Sequence, residues 1–225
     1  MMSATIMNSS NNASFIKDIG IENEKYKFAR VKSTIPKENR IIKYDSSIGN
    51  MSSKKIDETL PKMVEAVKKI LEFHKNEKGY IFTNSYKISN YLIDKIKTDR
   101  FSYHDNSINR AEALNNHINS KNNTVLITPS MNIGIDLKDD LSRFQIIVKM
   151  PFPYLGDKQV QKKMEINKEW YIWKTLVELI QAMGRSVRSD NDYATTYILD
   201  KDWEMVYNRS KNIIPSWFSE AIVKI

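Results

Sequence analysis

Short apolar strands alternate with amphipathic helices along most of the chain, and this alternation restricts the fold more than any other feature of the sequence. Helices are predicted between the strands, because apolar residues recur there at helical spacing. Strands joined through helices of roughly 10–15 residues form parallel βαβ units. The sequence therefore predicts an α/β fold in which helices flank a mainly parallel sheet. The predicted strands are 80–83, 101–104, 124–128, 143–150 and 193–199, and the predicted helices are 60–76, 88–96, 109–118, 159–168 and 171–183.

The first 55 residues carry weaker patterns. Short apolar stretches predict strands at 26–31 and 40–44, and residues 46–55 are predicted to form a loop. The chain has 225 residues with 35 Lys and Arg against 27 Asp and Glu, so its formal net charge is +8 at pH 7. This surplus fits a polyanionic partner such as nucleic acid, but lysines spread over solvated faces give the same sum.

Composition excludes several classes of site. The chain contains no Cys, which rules out disulfides and thiolate-bound metal centres within these residues. Its three His residues, His74, His104 and His117, are scattered, so we predict no metal site. The start lacks a secretory signal pattern, and the longest uncharged hydrophobic stretch, 122–135, is shorter than the about 20 apolar residues that cross a bilayer. We therefore expect a cytoplasmic, intracellular protein with no membrane partner.

Two phosphate-binding signatures are absent. Neither GxxxxGK[ST] nor GxGxxG occurs, so the sequence supports neither an independent P-loop enzyme nor a dinucleotide-binding domain. A free-standing metabolic enzyme is disfavoured as well, because no set of nucleophile, base and orienting residue can be assembled from the sequence.

The most unusual segment carries two arginines beside a glutamine. Gln181, Arg185 and Arg188 lie at i, i+4 and i+7, so on a helix they share one face, and Gly184 is predicted to allow close backbone approach there. Two guanidinium groups one turn apart form a receptor for phosphate oxygens. The alternative is a basic face that pairs with the aspartates following it.

Two polar loops follow predicted parallel strands, where ligands of open α/β sheets bind. In the loop 128–137, Asp136 follows a glycine by two positions and can accept a hydrogen bond from an arginine or a ribose hydroxyl; alternatively it forms an Asx turn or a helix cap. In the loop 83–86, small polar side chains and a tyrosine ring suit a nucleic-acid backbone and base. The alternative is that Asn84 or Ser85 only caps the next helix.

These segments, taken in order, resemble the second motor domain of superfamily 2 helicases of the XPD/DinG-like branch. Gln181 to Arg188 matches that family's motif VI, Q-x-x-G-R-x-x-R. Ser130 to Asp136 is similar to motif V with its Gly-x-Asp, and Tyr80 to Tyr86 is similar to motif IV. Several spaced motifs in the right order are much more specific than any one of them.

Flanking segments extend the resemblance over essentially the whole chain. The Pro-Phe-Pro run at 151–153 and the segment 192–200 follow the family pattern, and residues 2–6 resemble motif III, which ends the first motor domain. Two positions depart from it: Ile133 stands where many members carry Glu, and Ala194 replaces a common Gly. Contacts made by that Glu therefore cannot be transferred to this chain.

The resemblance implies a RecA-like three-layer fold and a division of the chain. Residues 1–20 would be the end of motif III and a linker from a first motor domain, and residues 21–225 would be the second RecA-like helicase domain. The chain would be the carboxyl-terminal portion of a larger ATP-dependent DNA helicase. Its partners would be single-stranded DNA and the first motor domain, which would hold most of ATP and Mg²⁺; this part alone would bind no nucleotide and hydrolyse no ATP.

The resemblance also implies roles for individual residues. Catalysis would involve Arg188 as the arginine finger, with Arg185 and Gln181. Nucleotide contacts would come from Gly134, Asp136 and Gly184. Contacts to DNA would come from two loops, consisting of Thr83, Asn84, Ser85 and Tyr86 in the first and Thr128, Pro129 and Ser130 in the second. The alternative function is a nucleic-acid-binding module that hydrolyses no ATP.

Overall fold

A seven-stranded sheet in which all neighbouring strands are parallel forms the centre of the structure. The structure is a computed structural model and describes residues 33–105, 108–130 and 136–225. The strand order is β3-β4-β2-β5-β6-β1-β7. The strands are β1 (Ile42–Tyr44), β2 (Gly79–Phe82), β3 (Phe101–Tyr103), β4 (Val125–Thr128), β5 (Phe144–Ile147), β6 (Thr195–Ile198) and β7 (Ile222–Lys224).

Helices cover both faces of this sheet and make three layers. Helices α1 and α2 pack on one face, whereas α3, α5, α6 and α7 pack on the other. In the described part of the chain, the helices are α1 (Ile56–Phe73), α2 (Tyr86–Ile96), α3 (Arg110–Asn119), α4 (Lys158–Ile166), α5 (Lys168–Met183), α6 (Asp202–Ser210) and α7 (Ser216–Ser219). The predicted α/β fold class is therefore confirmed.

Alternating strand side chains supply the two halves of the core. On β2, Tyr80 and Phe82 point to the side of α5, while Ile81 between them packs with α1 and α2. This follows from the two-residue period of a strand. Because both faces are covered, the four residues of β2 are all buried, which explains why its sequence reads as a continuous apolar run.

A histidine and a glycine pack tightly at the amino edge of the sheet. The His74 ring stacks on Phe144 with ring centroids 4.4 Å apart, and its nitrogens hydrogen-bond to Glu77 and to the hydroxyl of Tyr197. A Cβ atom on Gly79 would lie only 2.2 Å from the Phe144 ring, so this strand start requires glycine. Burial lowers the pKa of His74. Its role in the structure is packing.

Some predicted boundaries change. The strand predicted at 143–150 extends only over 144–147, and the one predicted at 193–199 extends over 195–198. The strand predicted at 26–31 and the motif III segment at 2–6 lie outside the described residues. Within the described ranges, no helix has the length and apolar character needed to cross a membrane, and no three His, Asp or Glu side chains gather as a metal site.

Candidate functional site

A cleft opens at the carboxyl edge of the sheet, where the ends of β2, β4 and β5 meet the last turns of α5. It encloses about 350 Å³. Four segments that are 20 to 45 residues apart in sequence therefore meet in one place, three of them because parallel strands end at the same edge. The residues that line the cleft are Phe82, Asn84, Pro129, Ser130, Pro151, Glu178, Gln181, Ala182 and Arg185.

The loop after β2 is shaped by two hydrogen-bonded side chains. Asn84 has a φ of 55°, a left-handed conformation that asparagine tolerates better than most residues, and its side chain donates to the carbonyl of Met150 at 3.2 Å. The hydroxyl of Thr83 is buried and lies 2.6 Å from the hydroxyl of Ser89. Ser85 occupies the N-cap of α2 but makes no side-chain capping hydrogen bond.

The loop after β4 is connected to Tyr86 through a buried histidine. His104 lies 2.9 Å through Nε2 from the hydroxyl of Thr128. Its ring meets that of Tyr86 edge to face, with centroids 5.7 Å apart. Thr128 is 1% exposed and Thr83 is 0% exposed. Both hydroxyls have partners inside the protein, so the structure presents neither threonine side chain at the surface. The predicted contacts of these two loops to DNA stay a prediction.

An arginine that the sequence did not single out lies beside this loop. Arg110, the first residue of α3, donates from Nη1 to the hydroxyl of Ser130 at 3.3 Å. His104 and Arg110 were both missed because the contacts that bring them here span about 20 residues or more. The available signal was position: His104 directly follows β3, which is the neighbour of β4 in the sheet.

The arginine segment is not a continuation of α5. The helix ends at Met183 with Gly184 as its C-cap, so the prediction that Gln181, Arg185 and Arg188 share one helical face is wrong. Tertiary contacts replace helical ones beyond this point: the carbonyl of Arg185 accepts from the amide of Leu137 at 3.2 Å. Gln181 and Arg185 both line the cleft, whereas Arg188 is not among its lining residues.

Gly184 is not required by a close approach within the described protein. Its φ is −71°, and a Cβ atom there would lie 3.5 Å from its nearest neighbour, which is an ordinary van der Waals contact. The predicted close approach of a phosphate to this backbone stays a prediction. Gly134 lies outside the described residues.

Arg188 and Asp136 form an ion pair at the edge of the site. The distance from Nε of Arg188 to Oδ1 of Asp136 is 3.3 Å, and the two side chains are 44% and 57% exposed. The pairing predicted for Asp136 with an arginine therefore occurs. At this exposure the pair contributes little stability, since water screens the two charges. Both groups can be rearranged by an anionic ligand at small cost.

Arg185 lies in a less polar setting. Its charge acts on the phenol of Tyr80, which is buried below the cleft. Burial raises the pKa of Tyr80 well above its usual range, and the nearby Arg185 opposes this only in part. The Tyr80 hydroxyl therefore stays neutral and adds no negative charge that would compete with an anion for Arg185.

The fold and the site together define a RecA-like α/β domain with a cleft at the carboxyl edge of its sheet. Residues 67–221 match the family model described as helicase C-terminal domain. Because this match covers well over half of the chain, the chain belongs to the helicase C-terminal domain family.

Curated relatives with similar sequences are named as helicases. The chain is 28% identical over 180 residues to "ATP-dependent DNA helicase XPD" of Sulfolobus acidocaldarius, a match that covers 73% of this chain and 30% of that protein. It is 30% identical over 106 residues to "ATP-dependent DNA helicase chl1" of Schizosaccharomyces pombe, covering 40% of this chain and 12% of that protein. The chain therefore spans less than a third of either relative.

Solved structures agree on the fold. The structure of S. tokodaii Xpd4 superposes with a TM-score of 0.65 at 17% identity, covering 100% of this chain and 43% of that one. The S. cerevisiae Dbp5 chain solved with RNA and ADP BeF3 superposes with a TM-score of 0.58 at 12% identity, covering 94% of this chain and 47% of that one. At these identities the likeness establishes the RecA-like fold.

Proposed function

We propose that this chain is the carboxyl-terminal motor domain of an ATP-dependent DNA helicase, in which it forms one wall of the ATP site and one of two grips on single-stranded DNA. The observation that carries the proposal is the cleft, because it places Gln181 and Arg185 beside Asn84 and Ser130. Residues assigned to nucleotide and residues assigned to DNA are thus neighbours, which gives a short path for coupling the two ligands.

Nucleotide contacts come from the arginine segment. Arg188 is the arginine finger: it stabilises charge that develops on the γ-phosphoryl group in the transition state. Its ion pair with Asp136 is exposed and weak, so a triphosphate, with more negative charge than one carboxylate, can replace Asp136 as its partner. Arg185 contacts the phosphates from inside the cleft, and Gln181 orients the attacking water or the nucleotide.

The DNA grip is built from backbone and exposed side chains. Ser130 and Pro129 lie on the rim of the cleft, as does Asn84, and Tyr86 presents a partly exposed ring to a base. Thr83 and Thr128 are buried, and their hydroxyls hold the two loops in place, so that the residues on the rim make the contacts to DNA.

The rest of the motor lies in a first domain that precedes this one, joined through residues 1–20, and residues 21–225 form the second domain. The first domain supplies the phosphate loop and holds Mg²⁺, which when bound neutralises charge on the transferring phosphoryl group. ATP closes the gap between the two domains and hydrolysis opens it, so that their DNA grips move relative to each other.

The test is substitution of Arg188 in the intact helicase. Arg188→Ala should lower DNA-stimulated ATP hydrolysis by a factor on the order of 10³, while single-strand affinity stays nearly unchanged. Arg188→Lys should also fail, because an ammonium group cannot present the planar guanidinium fork. Arg209→Ala, which removes an exposed arginine on α6, is the matched control and should retain full activity.

Two results would overturn parts of this proposal. An active Arg188→Ala variant would reassign the finger, with Arg185 next to be tested. An intact protein that binds DNA but shows no ATP hydrolysis in any form would favour a nucleic-acid-binding module in place of a motor.

A further inference from the structure

A buried aspartate beyond the arginine segment holds four hydrogen-bond donors. Asp192 is 2% exposed. Its Oδ1 accepts from Nη1 of Arg143 at 2.7 Å and from the amide of Tyr193 at 2.9 Å. Its Oδ2 accepts from the amides of Asp139 and Arg188, each at 3.2 Å. A carboxylate offers about four acceptor positions, so the capacity of this side chain is fully used.

The charge of this carboxylate is compensated from one side only. Arg143 forms an ion pair with Asp192, and its guanidinium group stacks on the Tyr193 ring at 4.2 Å from the centroid. Arg143 also pairs with Asp140. A buried ion pair of this kind rarely gains stability over an apolar pair of similar size. The effect of this pair is therefore sought in the backbone groups that it holds in position, not in added stability.

Asp192 holds two backbone segments in position, because two amides donate to its Oδ2. One belongs to Arg188, and the other belongs to Asp139, three residues after Asp136. Asp136 and Arg188 are the two side chains of the ion pair at the edge of the site. A single buried oxygen thus binds the backbone of Arg188 and the backbone three residues after Asp136.

Further contacts connect the same two segments. The amide of Leu137 donates to the carbonyl of Arg185 at 3.2 Å. The buried hydroxyls of Ser142 and Ser186 lie 2.8 Å apart. These bonds hold the segments together, and among the described residues it is Asp192 that accepts from the backbone amide of Arg188 itself. The side-chain ion pair of Arg188 is exposed and weak. The contact to its backbone amide therefore determines the position of the Cα atom that carries the side chain.

We infer that Asp192 is a positioning residue for Arg188, setting the backbone from which the guanidinium group reaches the triphosphate. The inference rests on the proposed function, because it presupposes that Arg188 acts on the nucleotide. Asp192 itself is buried and does not contact the nucleotide; it acts through the amide of Arg188.

The test is Asp192→Asn in the intact helicase. An asparagine accepts at one oxygen only, so either Arg143 or the pair of backbone amides at Oδ2 loses its acceptor. We expect kcat to fall by about 10- to 100-fold, the loss typical of misplacing a catalytic group by about 1 Å. The KM for ATP and the Kd for single-stranded DNA should change by less than about twofold, because neither ligand touches Asp192.

A double-mutant cycle separates positioning from general stability. In an Arg188→Ala background, Asp192→Asn should change kcat by less than about twofold, since there is no finger left to position. The melting temperature should fall by the same amount in both backgrounds. Arg143→Gln, which keeps the carboxylate but removes its cationic partner, should show a smaller loss of kcat that also disappears in the Arg188→Ala background.

Arg100→Ala is the stability control, because it removes hydrogen bonds at the opposite edge of the sheet and should leave kcat per folded molecule unchanged. Equal losses of kcat from Asp192→Asn in both backgrounds would overturn the inference and leave the proposed function standing. If Asp192→Asn does not fold, the same comparison with Arg143→Gln decides. A fully active Arg188→Ala variant would overturn the proposed function, and the inference with it.

Discussion

At the residue scale, buried polar groups of the carboxyl edge are hydrogen-bonded to one another. The Thr128 hydroxyl is bound to His104, and the Thr83 hydroxyl is bound to Ser89. Buried hydroxyls without such partners would cost roughly 1–3 kcal/mol each. The threonines therefore fix the loops, and the side chains left for a ligand are those on the rim, among them Tyr86.

Tyr86 tests whether a rim side chain binds DNA. The residue is 37% exposed, and its ring is nearly perpendicular to that of His104, so part of it is accessible to a base. Tyr86→Ala should weaken single-strand binding by about 1 kcal/mol or more, and Tyr86→Phe should change it little, because stacking uses the ring. Fluorescence anisotropy with a labelled oligonucleotide gives the affinities. Phe73→Ala is the control, since Phe73 is an exposed aromatic at the opposite edge; an equal loss there would rule out stacking by Tyr86.

At the element scale, a cationic side chain closes the carboxyl end of each of two helices. Arg100 donates to the carbonyls of Leu71, His74 and Glu77 at the end of α1, and also to Asn123. Lys78 donates to carbonyls at the end of α3, and burial lowers its pKa. Carbonyl groups at a helix end lack partners within the helix, and the helix dipole favours positive charge there.

Removing the larger of these caps should cost measurable stability. Arg100→Ala should lower the free energy of unfolding by about 2–4 kcal/mol, because it leaves several partly buried carbonyls without a donor. Arg100→Lys should recover less than half of this, since one ammonium group cannot span all four carbonyls. Urea denaturation with an unchanged m-value would measure the effect. Lys69→Ala, on the exposed face of α1, should stay within about 0.5 kcal/mol of wild type; a similarly small change for Arg100→Ala would refute the cap.

Elements with strong local patterns were predictable, and those shaped by distant contacts were not. Strand β2 reads as an unbroken apolar run, and α1 carries a regular apolar face, so both follow from sequence alone. The end of α5 does not, because Ser186 and Arg185 bond to segments about 45 residues away instead of continuing the helix. Helix α6 was not predicted either: it buries only three of its nine residues.

At the scale of the whole molecule, the location of the site was predictable from the sequence, but the hydrogen bonds and ion pairs within it were not. Loops that follow neighbouring parallel strands must meet at one edge, and the cleft lies there. The contacts of Asp192 and Arg110 join segments 20 to about 50 residues apart, and no local pattern marks them. The net charge of +8 is also uninformative by itself, because a sum does not show where on the surface the charges lie.

This distribution of charge leads to an expectation for DNA binding by the 225-residue chain. Two positive side chains of the described residues that lie beside the predicted DNA loops are Arg110, which contacts Ser130, and Arg185, which lines the cleft. Each phosphate contact on a single strand contributes about 0.7 to the slope of log affinity against log salt, so two or three contacts predict a slope of about −1.4 to −2. Arg110→Ala should reduce that slope by about 0.7, whereas Arg209→Ala, on the exposed side of α6, should leave it unchanged. Anisotropy titrations at several salt concentrations measure both values.

A slope steeper than about −4, or a strong preference for one base sequence, would mean that many phosphates or specific bases are bound. Either result would favour a dedicated nucleic-acid-binding module over one half of a motor.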